Sequence, residues 1–167
     1  MPAPPPESEP AMVRAVGGRS PDTVTATVLR RRGRHHGAVP LDHVTITATD
    51  FAAGLAFYDA ALGALGLTRV LEFGDEEEDD AVIEAAGWGD GTHAVLWLVA
   101  GAAPTSGVHV SLRAASRTAV EQFHAAALAN GGRSHDAPRR WAIYRRGQFN
   151  AVVADPAGNL LEAVARE

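Results

Sequence analysis

The chain repeats itself. Residues 43–67 (HVTITATDFAAGLAFYDAALGALGL) overlay residues 109–133 (HVSLRAASRTAVEQFHAAALANGGR) without a gap, at an offset of 66. Nine of the twenty-five positions are identical, among them His43/His109, Phe57/Phe123 and Gly66/Gly132. Thr45/Ser111 and Ile46/Leu112 are similar. Alanine is common in both segments and inflates any such match, so the shared His, Phe and Gly carry it. A repeat constrains a fold more than composition does. Each copy must build the same supersecondary unit and bury its apolar face against a neighbour.

Each copy reads as a strand followed by a helix. Val44 and Ile46 alternate with His43, Thr45 and Thr47, and Val108, Val110 and Leu112 alternate with His109, Ser111 and Arg113. A period of two marks a strand with one buried face. Asp50 and Ser116 are candidate N-caps. Leu55, Tyr58, Leu62 and Leu65 then recur at helical spacing over 51–65, as do Val120, Phe123 and Ala127 in the second copy. Gly66 and Gly131-Gly132 stop the helices. Strand-like runs follow: 67–73, 81–89 and 93–100 in the first copy, and 141–146, 149–155 and 159–165 in the second. GDGT (89–92) and DPAGN (155–159) supply turns. The predicted fold class is α+β: two tandem βαβββ modules, 41–104 and 107–167, forming a cupped mixed sheet around a central cavity.

The parity of the first strands places their chemistry. Their apolar residues must pack on the helices, so His43 and His109 face the other way, into the groove between modules. In the last strand Glu162 shares a face with Leu160 and Val164. A lone carboxylate in an apolar strand needs a partner. Two His and one Glu converging on a cavity would satisfy it. That set suits divalent iron, and also Mn, Ni or Zn, with coordination positions left open. Arg113 shares the parity of His109 and is a candidate for holding an anionic substrate group.

Composition removes several alternatives. The chain has 167 residues, no Cys and no Lys. Thiol nucleophiles, zinc knuckles, Schiff bases and P-loop lysines are therefore excluded. The net charge is -5, which argues against nucleic acid as a partner. No apolar run is long enough to span a bilayer. Residues 1–40 differ: they are rich in Pro, Gly, Ser and Arg, with six Arg against three acids. They read as a disordered extension in which 23–29 could add a short strand. Arg30–Arg32 is followed by His35-His36-Gly37 rather than an apolar stretch, so the expected location is the cytoplasm. The acidic run Asp75–Asp80 reads as a solvated loop, and His93, His124 and His135 as surface residues.

Residues 41–67 resemble the opening module of vicinal oxygen chelate proteins. These include glyoxalases, fosfomycin-resistance proteins, bleomycin-binding proteins and extradiol dioxygenases. HVSLRAASRTAVEQFHAAALANGG and FNAVVADPAGNLLEAV look like the second module of the small glyoxalase/bleomycin-resistance type. The resemblance spans 41–166 and implies a divalent metal (Fe, Mn, Ni or Zn) held by His43, His109 and Glu162. It implies a homodimer with a small-molecule ligand. By analogy it puts Arg140, Trp141 and Tyr144 at the cavity rim as substrate contacts, with Tyr144 and Arg113 as candidates for a catalytic part. Glyoxalases of this type carry a further Glu on the last strand of the first module. The offset of 66 puts Leu96 there, and the neighbouring Trp97 reads as core. The implied activity is a metal-dependent enzyme with lyase, isomerase or ring-opening chemistry on an oxygen-chelating substrate. The alternative is a metal-free dimer that sequesters a small molecule or an antibiotic of the bleomycin type.

Overall fold

A computed structural model describes residues 24–28, 41–75, 82–141 and 147–166. The two copies of the repeat build the same unit. Strand β2 (Val44–Ala48) leads into helix α1 (Phe51–Gly63), then β3 (Thr68–Asp75), β4 (Val82–Gly89) and β5 (Ala94–Ala100). Strand β6 (His109–Arg113) leads into α2 (Arg117–Ala129), β7 (Arg133–Arg140), β8 (Gln148–Ala154) and β9 (Leu160–Arg166). In both, the first strand returns to lie parallel beside the last, β2 on β5 and β6 on β9, and the other pairings are antiparallel. The fold is the expected α+β pair of βαβββ units with mixed sheets.

The first sheet has a fifth strand. β1 (Val24–Val28) pairs antiparallel with β3, giving the order β1-β3-β4-β5-β2. The alternating segment within the Arg-rich extension thus covers an edge that would otherwise be open. The second sheet runs β6-β9-β8-β7.

The predicted caps form. Asp50 accepts from the Ala53 N–H at 3.0 Å, and Ser116 from the Ala119 N–H at 3.1 Å. Gly66 and Gly131 adopt φ of 81° and 87° just past the helices, as left-handed C-terminal stops require. Strand β7 departs from expectation. The strand predicted at 141–146 is replaced, as partner of β8, by RSHDAPRR at 133–140; 142–146 lie outside the described residues. This sequence shows no apolar alternation because the strand lies at a sheet edge, where Pro138 and charged side chains are tolerated.

One core joins both units. Ile46, Phe57, Leu62, Trp88, Leu96 and Leu98 of the first cluster with Val120, Phe123, Val153 and Leu161 of the second. Each helix covers its own sheet, and the helices pack on one another. Buried polar contacts tie the units further. The Tyr58 hydroxyl donates to Asp155 Oδ2 at 2.8 Å, and Asn159 Nδ2 donates to the same oxygen and to the Thr105 carbonyl. Thr105 in turn bonds Thr47 on β2. The DPAGN turn is therefore a fastener between α1, the connection at 101–108 and β9, as well as a reversal.

Candidate functional site

Strand pairing defines the face opposite the helices. In the second sheet, Ser111 lies beside Glu162, His109 beside Leu160, and Arg113 beside Val164. Asn150 of β8 is opposite Val164, and Arg139 of β7 is opposite Asn150. His109, Ser111, Arg113, Glu162, Asn150 and Arg139 therefore share one face, with Leu160, Val164 and Val152 among them. The parity read from the first strand and the last strand is correct for this unit: Val110 and Leu112 turn towards the helix, and Leu161 and Ala163 are fully buried.

Glu162 is the centre of this face. Its side chain is 13% exposed and that of His109 is 49% exposed. The His109 Nε2 lies 3.3 Å from Glu162 Oε2. Ser111 Oγ also donates to Oε2, and Asn150 Nδ2 donates to Oε1. The carboxylate is thus held on both oxygens, and the buried polar group identified in the sequence has its partners.

His43 is placed elsewhere. Its Nδ1 is 2.7 Å from Asp42 Oδ1. The His93 Nε2 is 3.1 Å from the Asp42 carbonyl oxygen and 3.8 Å from Oδ2. The hydrogen bond from His43 outweighs the slight burial of Asp42, and with the two imidazoles it holds that carboxyl below its usual pKa. His93, read in the sequence as a surface residue of a turn, thus sits beside the first-unit histidine. Among the described residues no three His, Cys, Asp or Glu side chains lie close enough together to hold a metal ion. One chain therefore assembles His109 with Glu162 but does not bring His43 to them.

The remaining predicted contacts fall as follows. Arg113 is exposed at the end of β6. Arg140 pairs in register with Phe149, so it is Arg139, which sequence reasoning passed over, that shares the face of Asn150. The Arg139 guanidinium lies 3.7 Å from the centroid of the half-buried Trp141 ring and also bonds Asp136 at 3.0 Å. Tyr144 lies outside the described residues.

The equivalent face of the first sheet carries Thr45 and Thr47 beside the apolar Trp97 and Val99, and here the register corrects the sequence reading. Thr45 pairs with Trp97 just as Ser111 pairs with Glu162, so Trp97 rather than Leu96 occupies the carboxylate position. Leu96 is fully buried against the helix side. The ungapped offset of 66 fails by one residue between α1 and β5, because the connections differ in length. Trp97 is half-buried on the open face rather than in the core. It stacks with Phe73 at 5.5 Å between ring centroids and lies over Gly87, where an added Cβ would come within 3.0 Å of the indole. No acid stands at this position, so the departure from a four-ligand glyoxalase remains.

The paired βαβββ units, with a held carboxylate and an imidazole on one face, define a fold of the vicinal oxygen chelate kind. A sequence profile of the glyoxalase/bleomycin resistance protein/dioxygenase superfamily matches residues 40–163, and the chain belongs to that superfamily. No curated protein matches the sequence. Among solved structures it is similar to a glyoxalase/bleomycin resistance protein from Albidiferax ferrireducens T118, with 24% identity, 77% of this chain and 100% of that one covered, and a TM-score of 0.60. It is similar to a lactoylglutathione lyase from Agrobacterium tumefaciens, with 18% identity, coverage of 79% and 96%, and a TM-score of 0.51. A mutant of glyoxalase I from Zea mays aligns with 75% of this chain and 46% of its own, at 19% identity and a TM-score of 0.55. At these identities the likenesses establish the fold. No helix among the described residues is long and apolar enough to cross a membrane.

Proposed function

We propose that this protein is a homodimeric, divalent-metal-dependent enzyme acting on a small oxygen-chelating substrate by lyase, isomerase or ring-opening chemistry. The observation that carries the reading is the Glu162 carboxylate, bonded on both oxygens and only 3.3 Å from His109 Nε2. An imidazole nitrogen beside a fixed carboxylate is the donor chemistry of a divalent ion such as Fe, Mn, Ni or Zn. His43 is the third ligand in this reading. Its Nδ1 is engaged by Asp42, which leaves Nε2 as the ligating atom, the usual arrangement for a metal-bound imidazole supported by a carboxylate.

Because one chain does not bring His43 to the pair, a second copy supplies it. In a two-fold dimer, the open face of the first sheet of one chain covers the open face of the second sheet of the other. Symmetry then forms the same contact twice. Each site would have an apolar wall with Phe73 and Trp97 and a polar wall with His109, Glu162 and Arg113. The bound ion would polarise two substrate oxygens as a Lewis acid. The chain's own residues do the rest. Arg113, with Arg139 on the same face, would hold an anionic group. Trp97 and Trp141 would exclude water and hold a planar or apolar part of the substrate. With Trp97 where a further carboxylate would stand, the reading departs from the four-ligand glyoxalase pattern.

The test is elemental analysis of protein purified without a polyhistidine tag or chelator, beside a His109→Ala variant. About one equivalent of Fe, Mn, Ni or Zn per chain, lost in the variant, is the expected result. Protein that carries no metal and gains no thermal stability from added divalent ions would sink the enzyme reading. It would leave the metal-free, ligand-sequestering alternative.

A further inference from the structure

Asn150 is out of place in its strand. Its neighbours on β8, Ala151, Val152 and Val153, are apolar and buried. Asn150 is 1% exposed, and the neighbours on its own face, Val152 and Val164, are apolar and buried as well. Its Nδ2 donates to Glu162 Oε1, and a carboxamide turned that way points Oδ1 away from the carboxylate. That Oδ1 is buried and accepts nothing among the described residues. A half-satisfied amide stabilises a core less than an aliphatic side chain of the same size. Its placement makes sense if its task is to hold the carboxylate.

We infer that Asn150 is a positioning residue for the proposed metal ligand Glu162, clamping Oε1 so that Oε2, beside His109, is presented to the ion. The inference rests on the metal-site reading above. The division of labour follows from the contacts. Asn150 is buried and takes Oε1, whereas Ser111 is exposed and takes Oε2. An oxygen with two lone pairs can accept from Ser111 and still bind an ion. Removing the buried clamp frees the carboxylate to rotate, and loss of such an outer contact typically costs about 10- to 100-fold in metal affinity.

The experiment titrates chelator-stripped, full-length wild type and Asn150→Leu with Ni²⁺ and with Zn²⁺ by calorimetry. The melting temperature of each metal-free protein is measured alongside. The expected result is a 10- to 100-fold weaker affinity in Asn150→Leu, with a melting temperature within a few degrees of wild type or above it. A merely structural role predicts the reverse, a lower melting temperature and unchanged affinity, and that outcome overturns the inference. So does an affinity loss no larger than that of Gly132→Ala, whose added Cβ meets Phe57 and Ala127 rather than a residue of the site and which reports what general loosening does. Should Asn150→Leu fail to fold, Asn150→Ala replaces it with the same expectation for affinity and a lower melting temperature from the cavity it leaves. If wild type binds neither ion, the metal reading falls and takes this inference with it. If wild type binds and Asn150→Leu binds equally well, only the inference falls.

Discussion

Tyr58 shows how much one buried hydroxyl can report. It is fully buried and donates to Asp155. Burial, and then the adjacent carboxylate, push its pKa well above the ordinary tyrosine value. The chain has two tyrosines and no lysine, so titration between about pH 10 and 12 belongs to tyrosine alone. An unfolded Tyr58 loses its proton near pH 10 while the folded one keeps it. Above that pH the unfolded state binds fewer protons than the native state. The stability contributed by Tyr58 is therefore intact below about pH 10 and falls as the pH rises, by up to about 1.4 kcal/mol per pH unit. Tyr58→Phe is expected to cost about 1–3 kcal/mol at neutral pH, since Asp155 loses a donor, and to flatten the alkaline limb. Urea unfolding of both proteins at pH 7 and pH 11 measures this. Parallel losses in the two proteins between those pH values would remove Tyr58 as the cause.

At the scale of elements, the joint between α1 and α2 depends on a glycine. A Cβ on Gly132 would lie 2.6 Å from Phe57 Cε2 and 2.8 Å from the Ala127 carbonyl oxygen. The second of these is backbone and cannot swing away. Gly132→Ala is therefore expected to destabilise by about 1–3 kcal/mol through overpacking, read as a lower urea midpoint. An unchanged midpoint would show that the joint is softer than its spacing implies. The repeat made this glycine visible, since Gly66 and Gly132 align. Much else was legible for the same reason: caps, helices, the parity of the first strands, and Glu162 as a polar residue in need of partners. What could not be read has physical causes. β7 is an edge strand and carries no apolar alternation, so nothing in RSHDAPRR signals pairing. Trp97 was assigned to the core because an ungapped offset cannot register a one-residue difference between connections. A shift of one residue moves a side chain to the opposite face. Asn150 carried no signal, because a single amide in FNAVVAD gains its meaning only from the strand that faces it.

At the scale of the molecule, the separation of His43 from His109 decides how a site can be built. The repeat makes these two histidines equivalent, and equivalence alone would allow both to line one groove of one chain. Instead the helices form the meeting layer of the two units, and the pair that assembles within the chain is His109 with Glu162. Dimerisation in trans makes a prediction that no cis arrangement shares. His43→Ala and His109→Ala chains should each be metal-poor as homodimers, because every site lacks one ligand. In a heterodimer of the two, one site loses both histidines and the other keeps both. Heterodimers isolated with two different non-histidine tags should therefore hold about one ion each, against two for the wild-type dimer. If the ligands belonged to a single chain, each site of the heterodimer would still lack one histidine. Heterodimers as poor in metal as their parents would thus reject the crossed arrangement, while leaving the His109–Glu162 pair as the nucleus of a different site.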